Sequence, residues 1–123
     1  IDRLREQRDI IAQVWLRSVA ATAIHYVNDT LADMDDFGTA DYSFADHAKH
    51  WSELKGFLLG LQFAPQSPLS RAELIELDQL VGAAPVLSDA GEQAIADYRA
   101  ALRRVRDDLT SAFEFEPINA ENW

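Results

Sequence analysis

The chain has 123 residues, with 21 Asp and Glu against 11 Lys and Arg, three His and no Cys, for a formal net charge of −10. That length suits one domain, and an apolar fraction of 48% excludes a disordered acidic tail. The negative charge repels phosphate backbones and argues against nucleic acid as a partner; zero Cys excludes disulfides, thiolate metal sites and Cys nucleophiles; and no run approaches the roughly 20 apolar residues of a membrane span.

The chain opens on Ile rather than Met, inside a helical pattern that is already running. The expectation is a single helical domain over residues 1–123, a fragment or processed form of a longer protein. The first predicted helix runs from about Asp2 to Met34. Val19, Ala20, Ala23, Ile24, Val27, Leu31 and Met34 follow the three-four spacing of one buried face, and Ile10, Ile11 and Val14 extend that face backwards. Gly38 breaks the pattern. The second helix runs from Phe44 to about Gln62, with Ser43 as N-cap and Asp46 at N3. His47, His50, Leu54, Phe57 and Leu61 form its stripe, and Phe44, Trp51 and Leu58 widen it, which predicts burial on most sides. Gly56 and Gly60 lie one turn apart inside this helix, where each costs up to about 1 kcal/mol against Ala. The expected reason is close approach of another helix.

Pro65-Gln66-Ser67-Pro68 reads as a stiff loop. Ser70 then caps a short third helix with Glu73 completing a capping box; Leu74, Leu77 and Val81 give its face, and Gly82 stops it. Residues 83–91 connect, and a fourth helix runs from about Glu92 to Phe113. Its seam, Ile95, Tyr98, Leu102, Val105, Leu109 and Ala112, alternates spacings of three and four. Trp123, at the end of the sequence, is expected either to dock back or to reach another part of a parent chain. No segment alternates with period two. The predicted fold is all-α, an antiparallel helical bundle of about four helices, three long and one short.

Chemistry concentrates at the first turn of the bundle. Asp29, Asp33, Asp35, Asp36, Asp41 and Asp46 form a stretch without Lys or Arg, and all three His adjoin it. His50 and Glu53, three apart, share one helical turn, and imidazole beside carboxylate at that spacing suits a divalent transition metal. His47 stands one turn earlier, His25 comes from the first helix, and Asp29 or Asp33 offers oxygen across the hairpin. The candidate metal ligands are therefore His50, Glu53, His47 and His25, with iron, zinc or manganese all compatible and Asp46 as an outer partner. The bland alternative is a His hydrogen-bonded within a packed interface. A calcium loop fails on its ligands: Asp33, Asp35, Gly38 and Asp41 fit positions 1, 3, 6 and 9, but Phe37 and Phe44 occupy positions 5 and 12. No nucleophile elbow, phosphate loop or singled-out carboxylate pair appears, so enzymatic activity is left open, with Glu53 as base on metal-bound water the one catalytic form considered.

The run from His47 to Phe63, together with His25-Tyr26-Val27-Asn28, Ala84-Pro85-Val86-Leu87 and Asn119 to Trp123, resembles the C-terminal part of a family of bacterial secreted helical proteins and lipoproteins that has no assigned activity. That family in turn resembles the imelysin-like, iron-regulated proteins of bacterial envelopes, helical bundles with a Gly-x-His-x-x-Glu motif. His50 and Glu53 match its His and Glu; Ala48 stands in place of the Gly. The resemblance implies a metal-binding domain linked to iron acquisition, located in the periplasm or on the outer surface. The alternative is a metal-free structural or protein-interaction module, paired with the rest of its parent chain or with a second copy.

Overall fold

A computed structural model describes residues 1–123. The chain forms five helices and no strand: α1 (Asp2–Asp35), α2 (Phe44–Gly60), α3 (Arg71–Val81), α4 (Glu92–Ala112) and the single-turn α5 (Pro117–Ala120), with a 3-10 turn at Leu61–Phe63. The all-α bundle predicted from the periodicities is the observed fold, with the 3-10 turn and α5 in addition.

Side-chain pairs fix the packing register. Asp33 meets His50 while Gly60 faces Val19, so α2 runs back along α1. Arg99 pairs with Asp35 at 2.5 Å and Arg17 donates to the Phe113 carbonyl, so α4 is antiparallel to α1 as well. The short α3 bridges α2 and α4. Carbonyls at its C-terminal end have open acceptor positions, and three side chains reach this end of the helix. Trp51 Nε1 and the Tyr98 hydroxyl both donate to Val81 O, at 3.2 and 2.8 Å, and Lys55 Nζ reaches Asp78 O and Gly82 O. Gly82 leaves the helix at φ +82, a left-handed conformation that favours glycine.

The core contains Ala20, Ala23, Ile24 and Val27 of α1, Leu54 and Leu58 of α2, Leu77 and Val81 of α3, and Leu102, Val105 and Leu109 of α4, each almost fully removed from water. Ser43 accepts from the Asp46 amide, and the Ser70–Glu73 capping box is complete in both directions. Trp123 docks back edge-on against Phe115 with ring centroids 4.9 Å apart, and Asn28 Nδ2 holds the carbonyls of Ala120 and Trp123.

Three expectations are corrected. The second helix is not buried on most sides: Phe44 and Leu59 are exposed, because only α1 and α3 pack against it. Gly56 meets nothing within 4 Å of where a Cβ would stand, and Gly60 meets only Val19 Cγ1 at 4.0 Å, so no close helix approach explains the pair. Ile10, Ile11 and Val14 are not core. The first half of α1 extends past the ends of its partners, and its apolar residues face outward there.

The same helix also alters the reading of membrane spans. An 18-residue window of α1 has mean hydropathy 1.2, which is long and apolar enough to cross a membrane by length and composition alone. Single polar residues such as Gln13 and Arg17 interrupt the apolar run and hid it from a count of consecutive residues. Only 28% of that window is buried within the bundle.

Candidate functional site

Asp29 and Asp33 lie one turn apart on the face of α1 that meets α2, and His47 and His50 lie one turn apart on the facing side of α2. The antiparallel crossing threads them into one string. His25 Nε2 is 3.2 Å from Asp29 Oδ2, which is 3.9 Å from His50 Nε2. On its other edge His50 Nδ1 makes a 2.8 Å hydrogen bond to Asp33 Oδ2, which is 3.8 Å from His47 Nδ1. Three imidazoles and two carboxylates thus alternate along the α1–α2 seam. Neither Asp29 nor Asp33 has a Lys or Arg within ion-pair distance; imidazole nitrogens are their only such neighbours.

The His47 side chain is fully buried. Its Nε2 lies 3.1 Å from the Val86 carbonyl, on the loop that follows α3. Its Nδ1 is buried with no hydrogen-bond partner, and so is the hydroxyl of Tyr42. Phe37 and Tyr42 wall the ring, with centroids 5.4 and 6.0 Å away. Burial first, then the charges of Asp33 and Asp89, push the Tyr42 phenol above its usual range. On the opposite side Tyr26 stacks between His50 and Phe57, and burial followed by the neighbouring Glu53 carboxylate raises its phenol too.

The four predicted ligands therefore occupy different positions. His25, His50 and His47 all join the seam, but each through an aspartate. Glu53 has no imidazole nitrogen within ion-pair distance: its Oε2 is buried without a hydrogen-bond partner, 3.9 Å from Lys49 Nζ, and its carboxylate neighbours the Tyr26 phenol. Nowhere in the chain do three or more His, Asp or Glu side chains close around one point in metal-holding geometry. Asp33, not Glu53, is the carboxylate that His47 and His50 share. The sequence named Asp33 only as an oxygen donor from across the hairpin, and nothing in it pointed to the Val86 carbonyl. The acidic loop itself is solvated, with Asp35 drawn off to Arg99.

A second feature lies at the other end of α1. Leu4, Ile11 and Trp15 on α1 are 76%, 67% and 74% exposed, and Phe63 across from them is 79% exposed. With Ala64 and Pro65 they line an open groove of about 770 Å³ in which Arg8 is the one charged residue. Side chains of this size usually sit inside a fold, and a contiguous exposed group of them marks an interaction surface. Comparison with known protein families, with curated proteins and with solved structures finds no match to this chain.

Proposed function

We propose that this domain is a helix-docking module, in which the outer half of α1 and the Phe63–Pro65 corner receive another apolar helix. The observation that carries the reading is the exposed stripe Leu4, Ile11 and Trp15 facing Phe63. Asp2 to Asp9 holds three Arg and three acids, so this segment is locally neutral in a chain of net charge −10. A second copy of α1 can approach it without the repulsion that the rest of the surface imposes. A helix from elsewhere in a parent chain fits the same groove. Sedimentation across a wide concentration range tests the self-docking form. Assembly should grow with concentration and be accompanied by a blue shift of tryptophan emission, and Trp15→Glu should abolish both while leaving unchanged the melting temperature measured at a dilution where the wild-type chain is monomeric. A strictly monomeric wild-type chain refutes self-docking.

The alternating imidazole–carboxylate seam favours a second reading. In that reading the domain binds metal, and the imelysin-like resemblance implies a bacterial envelope protein, in the periplasm or on the outer surface, linked to iron acquisition. Metal analysis of protein purified without chelator, wild-type and His50→Ala, tests it: stoichiometric metal in the wild-type chain alone supports the reading, and none in either sample refutes it.

A further inference from the structure

We infer that the occupant of the groove is the α1 helix of a second copy, packed antiparallel about a two-fold axis so that Leu4 of each copy meets Trp15 of the other. This rests on the helix-docking reading and names its partner and register.

The spacing along α1 sets the register. Leu4, Arg8, Ile11 and Trp15 all line the groove, and they follow one another at intervals of four, three and four residues. That spacing keeps the four side chains on one face of the helix. It also reads the same in both directions. A two-fold axis passing between Asp9 and Ile10 therefore stacks the seam on itself in layers, Leu4 against Trp15 and Arg8 against Ile11, each pair occurring twice with the copies exchanged. Such a contact is isologous and closes at two copies. Phe63 lies across the groove from Trp15, so the incoming Leu4 enters between two aromatic side chains that are otherwise exposed. The first half of α1 extends past its own bundle and leaves this path open.

Charge selects the antiparallel arrangement. In a parallel pair each residue meets its own copy, so Arg8 faces Arg8 in the middle of the seam, where like charges repel. In the antiparallel pair the aliphatic stem of Arg8 lies along Ile11 of the second copy, and its guanidinium stays with Asp9, which it already contacts at 2.8 Å. The bundles point the same way. Residues 2–9 are neutral, so the net charge of −10 lies in the rest of the chain. A parallel pair sets two acidic bundles side by side, whereas an antiparallel pair sends them to opposite ends of the seam. Neighbouring helix dipoles also attract only when the helices run in opposite directions.

The chain has no Cys, so introduced thiols report on the register alone. Leu4→Cys and Trp15→Cys change side chains that are 76% and 74% exposed, so both variants keep the bundle. Each is oxidised in a glutathione buffer, by itself and mixed with the other. A disulfide needs Cα atoms within about 7 Å. In the antiparallel register residues 4 and 15 of opposite copies are level, while residue 4 of one copy stands about 16 Å along the axis from residue 4 of the other. The mixed pair also keeps one intact layer of Leu4 against Trp15. Mixed disulfides well above their statistical share are expected, and neither variant should form a disulfide dimer by itself. Disulfide dimers of each variant alone mean a parallel seam and overturn this inference while helix docking stands. Assembly of the wild-type chain with no disulfide of either kind puts the contact on another face and overturns it too. A wild-type chain that stays monomeric in sedimentation overturns self-docking and this register together.

Discussion

Replacing Gly56 by Ala should stabilise the protein. Gly56 lies in the interior of a seventeen-residue helix, where glycine is about 1 kcal/mol worse than Ala, chiefly because the unfolded chain loses more backbone freedom on folding. A methyl group added there meets no heavy atom within 4 Å, so no packing penalty opposes that gain. The expected stabilisation is therefore close to the full ~1 kcal/mol. For a domain of this size it corresponds to a rise in melting temperature of about 3–5 °C. Thermal melts followed by circular dichroism at 222 nm measure it, with urea midpoints as an independent check. An unchanged or lowered melting temperature would refute the reasoning, because it would mean that a neighbour approaches Gly56 where the packing leaves open space.

Leu102 is fully buried in the α4 seam, and Leu102→Ala should cost about 2–5 kcal/mol in urea unfolding, through lost burial and a residual cavity. Ser70→Ala should cost about 1 kcal/mol by removing the cap of α3. Hydrogen bonds from the Ser70 hydroxyl and then the Ser70 amide hold the Glu73 carboxyl below its usual range. The cap's contribution is therefore present above the unfolded-state pKa of Glu and is lost as pH falls through the lower folded value, so Glu73→Gln should flatten that part of the acid limb of a stability profile. Burial pushes the Tyr98 phenol up to about 12, against a smaller opposing effect of Trp51, and Tyr26 and Tyr42 are raised as well. Absorbance at 295 nm should show no ordinary tyrosine step near pH 10, and Tyr98→Phe should remove the highest one. Because the neutral phenol is the favoured form in the fold, this contribution to stability is intact below about pH 10 and declines as pH rises toward 12.

Helix positions were legible because each is written twice, once as a three-four apolar stripe and once as punctuation. Ser43, Ser70 and Gly82 mark ends, and the stripes around Ile24, Leu54 and Leu102 mark the core. Burial was less legible. Ile10, Ile11 and Val14 repeat the pattern of Val19, Ile24 and Val27, and periodicity reports which residues share a face, not whether anything covers it. The sequence grouped His25, His47 and His50 around the acidic stretch, and the α1–α2 crossing brings all three beside Asp29 and Asp33. That grouping did not show which carboxylate the imidazoles meet: Glu53, three residues from His50, is a neighbour along one helix, whereas Asp33 is a neighbour only through the α1–α2 crossing. Which oxygen an imidazole meets depends on that crossing, and sequence spacing within one helix does not contain it.

The two halves of α1 have one covalent continuity and two very different stabilities. Amides from Ala20 to Met34 open only when the bundle itself unfolds, so their hydrogen exchange should report the global free energy. The outer turns have almost no tertiary partner, and an isolated helix of that length is marginal in water, so their amides should exchange orders of magnitude faster. Whatever docks on Leu4, Ile11 and Trp15 must then also hold this segment in helical form, and part of its binding energy is offset by that ordering. The affinity of this surface should fall with temperature more steeply than its contact area implies, and substitutions that raise the helical propensity of residues 2–12 without touching the groove should tighten binding.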